Sequence, residues 1–237
     1  MMRIQVLFRI SDRSHPKEKL PFSKLECLKN CIEVFGAECI TVFADHCKPE
    51  TLEQLHQMET ALKMTESGNS GSWRQAALFA LNGTEKGTAI YFVEDDYLHI
   101  EAAPQIIAEG LTMADYVTLY DHPDKYKTGT NPYIEQDGEI GRVRISASTH
   151  WKSTNSTTMT FATKVETLHE DWSVWQDYTS GPNPDDFGAF QRLTGIGSWE
   201  NQIFGKKRTL ISCIPGASTH TETNWLSPLV NWKQIGK

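Results

Sequence analysis

Three consecutive carboxylates, Glu94, Asp95 and Asp96, close the apolar run in the stretch 89–99, AIYFVEDDYLH. Adjacent acids repel one another and are costly to desolvate unless a positive charge sits between them. Side chains alternate along a strand, so the pattern predicts Glu94 and Asp96 on one face and Asp95 on the other. Oxygen ligands at a strand's carboxyl end suit Mg²⁺ or Mn²⁺, and Mg²⁺ takes one or two carboxylates together with substrate phosphate oxygens. The plain alternative is a solvated loop or a helix cap. The buried strand directly before the acids favours a site.

Other groups could share that chemistry. Gly68 and Asn69 open a run of small residues, GNSGS, whose backbone N–H groups could approach phosphate ahead of a helix. The run has neither the GxxxxGK nor the GxGxxG pattern. Arg9, Ser11 and Asp12 end the first predicted strand and Asp45 the second, where acids can hydrogen-bond a ribose or base. His220, in PGASTHTE, offers an imidazole nitrogen to a metal. In the segment 149–163, His150, Trp151 and Thr157 combine an aromatic face with hydroxyls suited to a sugar or base, or else form a threonine-rich hairpin. Asp185 and Asp186 precede a predicted helix, where one could cap it and the other act as a general base. The basic run Lys206-Lys207-Arg208 reads as a solvated turn.

These groups need a scaffold, and the hydrophobic periodicity supplies one. Strands are predicted at 3–10, 39–45, 89–93 and 115–121, and helices at 23–34 (Ser23 as N-cap, Gly36 past its end), 51–63 (capped by Thr51), 73–81 and 102–111. Alternating strands and helices predict a parallel sheet with crossovers, whose ligands lie beyond the carboxyl ends of its strands. The second half is more mixed, with strands in 141–149, 156–163 and 209–215 and a helix at 185–193.

At 237 residues with 39% hydrophobic and 22% charged side chains, the chain can bury a sizeable core. A net charge of −7 argues against a surface that grips nucleic acid throughout. No apolar run reaches the roughly 20 residues of a membrane span and no secretory signal is visible, which predicts a cytoplasmic protein. The five cysteines lack a CxxC pair and suggest neither a disulfide framework nor a zinc site.

In order along the chain, the strand ending in Arg9 to Asp12, the strand ending in Asp45, the Gly68 segment with its helix, and VEDD in the place of a DxD motif together resemble the GT-A fold glycosyltransferases, nearest to the family 2-like group. The resemblance implies an α/β fold with a Rossmann-like, mostly parallel central sheet flanked by helices and a mixed C-terminal half. It implies one domain over 1–237, with a nucleotide-binding half at 1–122 and an acceptor-binding half at 123–237. It further implies a nucleotide-sugar donor, Mn²⁺ or Mg²⁺ on Asp96 with His220 as a late ligand, Glu94 or Asp95 near the ribose or the metal's water, and Asp186 or Asp185 as the catalytic base. The helix motif PDDFGAFQRL departs from the Glu-Asp pair and Gln/Arg-rich helix of inverting family 2 enzymes. The acceptor is left open between a glycan, a small molecule and a modified nucleic-acid base. Two alternatives remain: a non-catalytic binding module of the same fold, and a sugar-phosphate nucleotidylyltransferase, against which the glycine-poor RISDRSHPKEKLP counts.

Overall fold

The first strand carries Ile4, Val6, Phe8 and Ile10 on one side and Leu7 on the other, and its centre is buried on both faces. In the computed structural model, which describes residues 2–13, 19–132, 134–135 and 138–235, this strand is β1 (Ile4–Ser11). It is followed by α1 (Lys24–Phe35), β2 (Ile40–Asp45), α2 (Pro49–His56), β3 (Ala61–Thr65), α3 (Gly68–Gly83) and β4 (Ala89–Glu94). Then come β5 (Tyr97–His99), α4 (Ala103–Gly110), β6 (Tyr116–Thr118), β7 (Ile134–Glu135), β8 (Gly138–Glu139), β9 (Val143–Ile145) and β10 (His150–Ser153). The remainder is β11 (Phe161–Lys164), α5 (Val165–Tyr178), α6 (Asp186–Thr194), α7 (Trp199–Phe204), β12 (Leu210–Ile214) and β13 (Ser218–His220).

Nine strands form one sheet in the order β3-β2-β1-β4-β11-β6-β12-β10-β9. The first four are mutually parallel, β11 runs against both β4 and β6, and β12 is again parallel to β6. The sheet is thus an α/β, mostly parallel one, and it interleaves strands from both halves of the chain. Val6, Phe8 and Ile10 join a core with Cys27, Leu28 and Cys31 of α1 and Ile106 and Ile107 of α4. Leu7, on the other face, packs with Trp73 of α3, Leu168 and Trp175 of α5 and Phe190 of α6. The site described below lies where β1, β2 and β4 end.

Several elements depart from the sequence reading. The helix expected at 51–63 starts at Pro49 and stops at His56, with Glu59 in a left-handed turn (φ 55°). Ala61–Thr65 is instead an edge strand paired in parallel with β2, whose open edge outweighs the helix propensity of Leu62, Lys63 and Met64. The expected small-residue loop is already the first turn of α3, which begins at Gly68 (φ 74°) rather than Trp73. At α1 the structure matches the expectation, with a Ser23–Glu26 capping box and Gly36 at φ 85°.

In the run Lys206-Lys207-Arg208 the two lysines are exposed, as expected of a solvated turn, but Arg208 is half-buried. Arg208 Nε and Nη2 donate to fully buried Asp171 at 2.9 and 3.1 Å, and Lys206 Nζ donates to the Glu170 carbonyl at 2.5 Å. Asp171 belongs to α5, an element the sequence reading did not identify, and a buried acid needs such cationic partners.

Candidate active site

The acids that end β4 diverge, because the strand stops at Glu94 and Asp95 and Asp96 form a turn. The alternation that would have kept Glu94 and Asp96 together stops there. Glu94 Oε1 accepts from Arg9 Nη2 at 2.6 Å. Asp95 Oδ2 accepts from the Ser11 backbone at 2.9 Å. Asp96 Oδ2 meets two nitrogens, the Lys19 ammonium Nζ at 2.8 Å and His220 Nε2 at 3.1 Å.

The backbone locks this third arrangement in place. β13 pairs with β5 so that His220 lies opposite Tyr97, and the Thr221 N–H donates to the Asp96 carbonyl at 2.8 Å. The Leu20 N–H in turn donates to the Thr221 carbonyl at 2.8 Å, beside a bridge between Lys19 and Glu222. One ligand atom each from Asp96, His220 and Glu222 lies within 4.8 Å of the others. Two carboxylates and an imidazole are a donor set that Mn²⁺ or Mg²⁺ accepts, so these residues fit a divalent cation. Asp96 and His220 were expected from sequence. Glu222 was not, although its i, i+2 spacing from His220 is a signal that could have found it.

The electrostatics follow from burial and from these partners. Burial, with the Asp96 charge adding to it, pushes Glu94 up to about 7 against the pull of Arg9. Burial and Asp96 likewise push Asp95 up to about 6, opposed by the Ser11 amide. Burial would raise Asp96 too, but the His220 hydrogen bond and the His220 and Lys19 charges outweigh it and hold this carboxyl well below its ordinary value. Asp96 is the acid of the three that stays ionised most readily.

A cavity of about 310 Å³ opens beside these groups, lined by Arg9, Ser11, Arg13, Lys19, Asp45, Gly68, Asn69, Ser72, Glu94, Asp95, Asp96, Asn183 and His220. Most of the expected donor-binding residues therefore meet at one place. Arg9 ties two of its walls together, its Nη1 donating to the Asn69 carbonyl at 2.8 Å and to Asn69 Oδ1 at 2.9 Å while Nη2 holds Glu94. Its buried Nε meets no protein acceptor among the described residues. Asp45 Oδ1 accepts from the backbones of Ser67 and Gly68 at 2.8 and 3.2 Å, capping α3 from a neighbouring strand. Asp12 does not line the cavity. It holds Lys24 Nζ at 2.6 Å and the Lys48 N–H at 2.7 Å.

The expected acceptor residues do not line this cavity. Trp151 is fully buried, so its ring has no face open to a ligand. It packs where a Cβ at Gly110 would come within 2.6 Å of it, and Nε1 donates to Ser146 Oγ at 3.0 Å. His150 is exposed at the start of β10, opposite Ile214. Thr157 is buried, and its N–H donates to Asp186 Oδ2 at 2.8 Å. Asp185 Oδ1 accepts from the Gly188 N–H at 2.9 Å, which makes Asp185 the N-cap of α6. Asp186 is linked toward the acids through the next residue, since Thr158 Oγ1 lies 2.5 Å from the hydroxyl of Tyr97, the neighbour of Asp96.

No protein-family profile and no curated protein matches the chain. Among solved structures it is similar to a mannose-1-phosphate geranyltransferase from Thermus thermophilus, at 12% identity and a TM-score of 0.50, over 90% of this chain and 74% of that one. It is also similar to a nucleotidyl transferase from Methanothermobacter, at 12% identity and a TM-score of 0.50, over 90% of this chain and 88% of that one. Staphylococcus aureus TarS aligns at 16% identity and a TM-score of 0.45, over 89% of this chain and 58% of that one. At these identities the likeness is one of fold: an α/β architecture with a large, mostly parallel central sheet. Among the described residues no helix is long and apolar enough to cross a membrane.

Proposed function

We propose that this chain is a glycosyltransferase that moves a sugar from a nucleotide-sugar donor to an acceptor hydroxyl, using Mn²⁺ or Mg²⁺ held by Asp96, His220 and Glu222. The observation that carries the reading is the meeting of those three side chains within 4.8 Å at the rim of a cavity formed where the parallel strands end. That the similar structures are transferases by name, one of them acting on nucleotidyl groups, agrees with a nucleotide in the cavity.

When bound, the cation would neutralise charge on the departing diphosphate. Arg9 sets the geometry by fixing the first turn of α3 against Glu94, so Gly68 and Asn69 present a stationary wall to the donor. Asp45 holds the same turn from below, and Ser11 and Asp95 close the side nearer the nucleoside. Asp186 is the base that takes the acceptor's proton, at the side of the site where Thr157 and Thr158 connect it to Tyr97. The acceptor itself, whether glycan, small molecule or modified nucleic-acid base, enters from that side.

A thermal-shift screen of nucleotide sugars with and without Mn²⁺, followed by a donor-hydrolysis assay, tests the reading. The expected result is metal-dependent stabilisation by one donor and slow release of its nucleoside diphosphate, both lost in Asp96→Asn and weakened in Glu222→Gln. Stabilisation without hydrolysis would identify a binding module. Pyrophosphate release from a nucleoside triphosphate and a sugar phosphate would identify a nucleotidyl transferase. Unchanged turnover and metal dependence in Asp96→Asn would overturn the assignment.

A further inference from the structure

Lys19 stands where a cation at Asp96 would have to bind. Its Nζ is 2.8 Å from Asp96 Oδ2, the oxygen that also meets His220 Nε2 at 3.1 Å. Its main chain is fixed to the segment that continues β13 and carries Glu222, through the Lys19–Glu222 bridge and the 2.8 Å bond from Leu20 N–H to the Thr221 carbonyl. The backbone therefore cannot retreat while that strand stays paired, but the four-carbon stem can rotate. The side chain is 24% exposed and lines the cavity, so water can solvate the ammonium once it leaves.

We propose that Lys19 and a divalent cation occupy Asp96 in turn: the ammonium is the site's internal counter-ion, and the cation binds Asp96, His220 and Glu222 by displacing it. The inference rests on the metal reading above and adds a competitor to it. Two positive charges on one carboxylate oxygen repel, so each lowers the occupancy of the other. Lys19 would keep Asp96 ionised and correctly placed between turnovers, and would set the metal affinity lower than the three ligands alone give.

The test is Mn²⁺ binding to the full chain, read from loss of the free-ion electron paramagnetic resonance signal, for wild type, Lys19→Met and Lys24→Met. Lys24 is the control because its Nζ pairs with Asp12 at 2.6 Å and not with Asp96. Lys19→Met is expected to bind Mn²⁺ about tenfold more tightly, the scale of a lost charged hydrogen bond, and Lys24→Met about as wild type does. Binding by Lys19→Met alone would support the same displacement, with the lysine the stronger competitor. Equal tightening in both variants, or no tightening in Lys19→Met, would overturn the inference while leaving the metal reading standing. No Mn²⁺ binding in any of the three would overturn the metal reading and the inference together. Lys19→Gln, checked by circular dichroism, replaces Lys19→Met should the latter fail to fold.

Discussion

Asp185 and Asp186 are adjacent and chemically identical, yet their surroundings give them different work. Asp185 satisfies an N–H at the start of α6, and removing such a cap costs about 1 kcal/mol. Asp186 grips the backbone of Thr157, on the side proposed above for the acceptor. Asp185→Ala is accordingly expected to lower the melting temperature by a few degrees with turnover nearly intact. Asp186→Asn keeps an oxygen for Thr157 but no longer takes a proton, and turnover should fall by roughly 10²-fold or more. Steady-state kinetics beside thermal melts separate the two, and intact turnover in Asp186→Asn would remove it from the catalytic role. The same contrast runs through Glu94, Asp95 and Asp96: identical in charge at the sequence level, they are held by Arg9, by a backbone amide, and by Lys19 with His220.

At the scale of elements, tight contacts do the positioning. The space above Gly110 in α4 is filled by the Trp151 ring and Val117, which a Cβ would approach to 2.6 and 2.7 Å. Gly110→Ala is expected to cost about 1–3 kcal/mol by overpacking, measurable as a shift in urea midpoint with an unchanged slope. Trp151 also shows what the sequence could not reveal, since a tryptophan among threonines looks like a ligand platform until the fold buries it against α4. The strands that carry the acids were legible because they are long apolar runs with clear ends, and α1 was legible through its cap. β3 was not, because its pairing with β2 is a long-range choice that local propensity contradicts. For α5 a signal was present in the spacing of Leu168, Trp172 and Trp175, and its buried Asp171 accounts for Arg208. Strand order was enough to find most of the residues that line the cavity. Lys19 and Glu222 did not, because only the folded chain brings them beside Asp96.

Over the whole molecule, acid stability is expected to depend in part on a buried histidine. His99 is fully buried, bonded through Nε2 to the Tyr91 hydroxyl at 2.9 Å, and burial lowers its pKa from 6.5 to about 3. The unfolded chain therefore binds more protons than the folded one between those values. The stabilisation is present above pH 6.5 and is lost as pH falls toward 3, by about 2 kcal/mol between pH 7.5 and pH 5. Glu94 and Asp95, raised to about 7 and 6, contribute with the opposite sign over that interval, so the test is a difference. His99→Gln, which keeps a polar group for Tyr91 but does not titrate, is expected to lose about 2 kcal/mol less urea stability than wild type between pH 7.5 and pH 5. An undiminished slope would place the acid sensitivity elsewhere. The joining of Leu20, Thr221 and Asp96 by successive backbone bonds also bears on how the molecule assembles. Its groups come from far-apart stretches of chain, with Lys19 and Asp96 77 residues apart and His220 much later still. Loop-closure entropy delays such contacts, so the sheet can form before the candidate cation site does. The site is then a late-closing clasp, able to open by local unfolding of the β13 segment while the core stays intact, and a bound cation would slow exchange of the Thr221 amide more than that of any amide in β1.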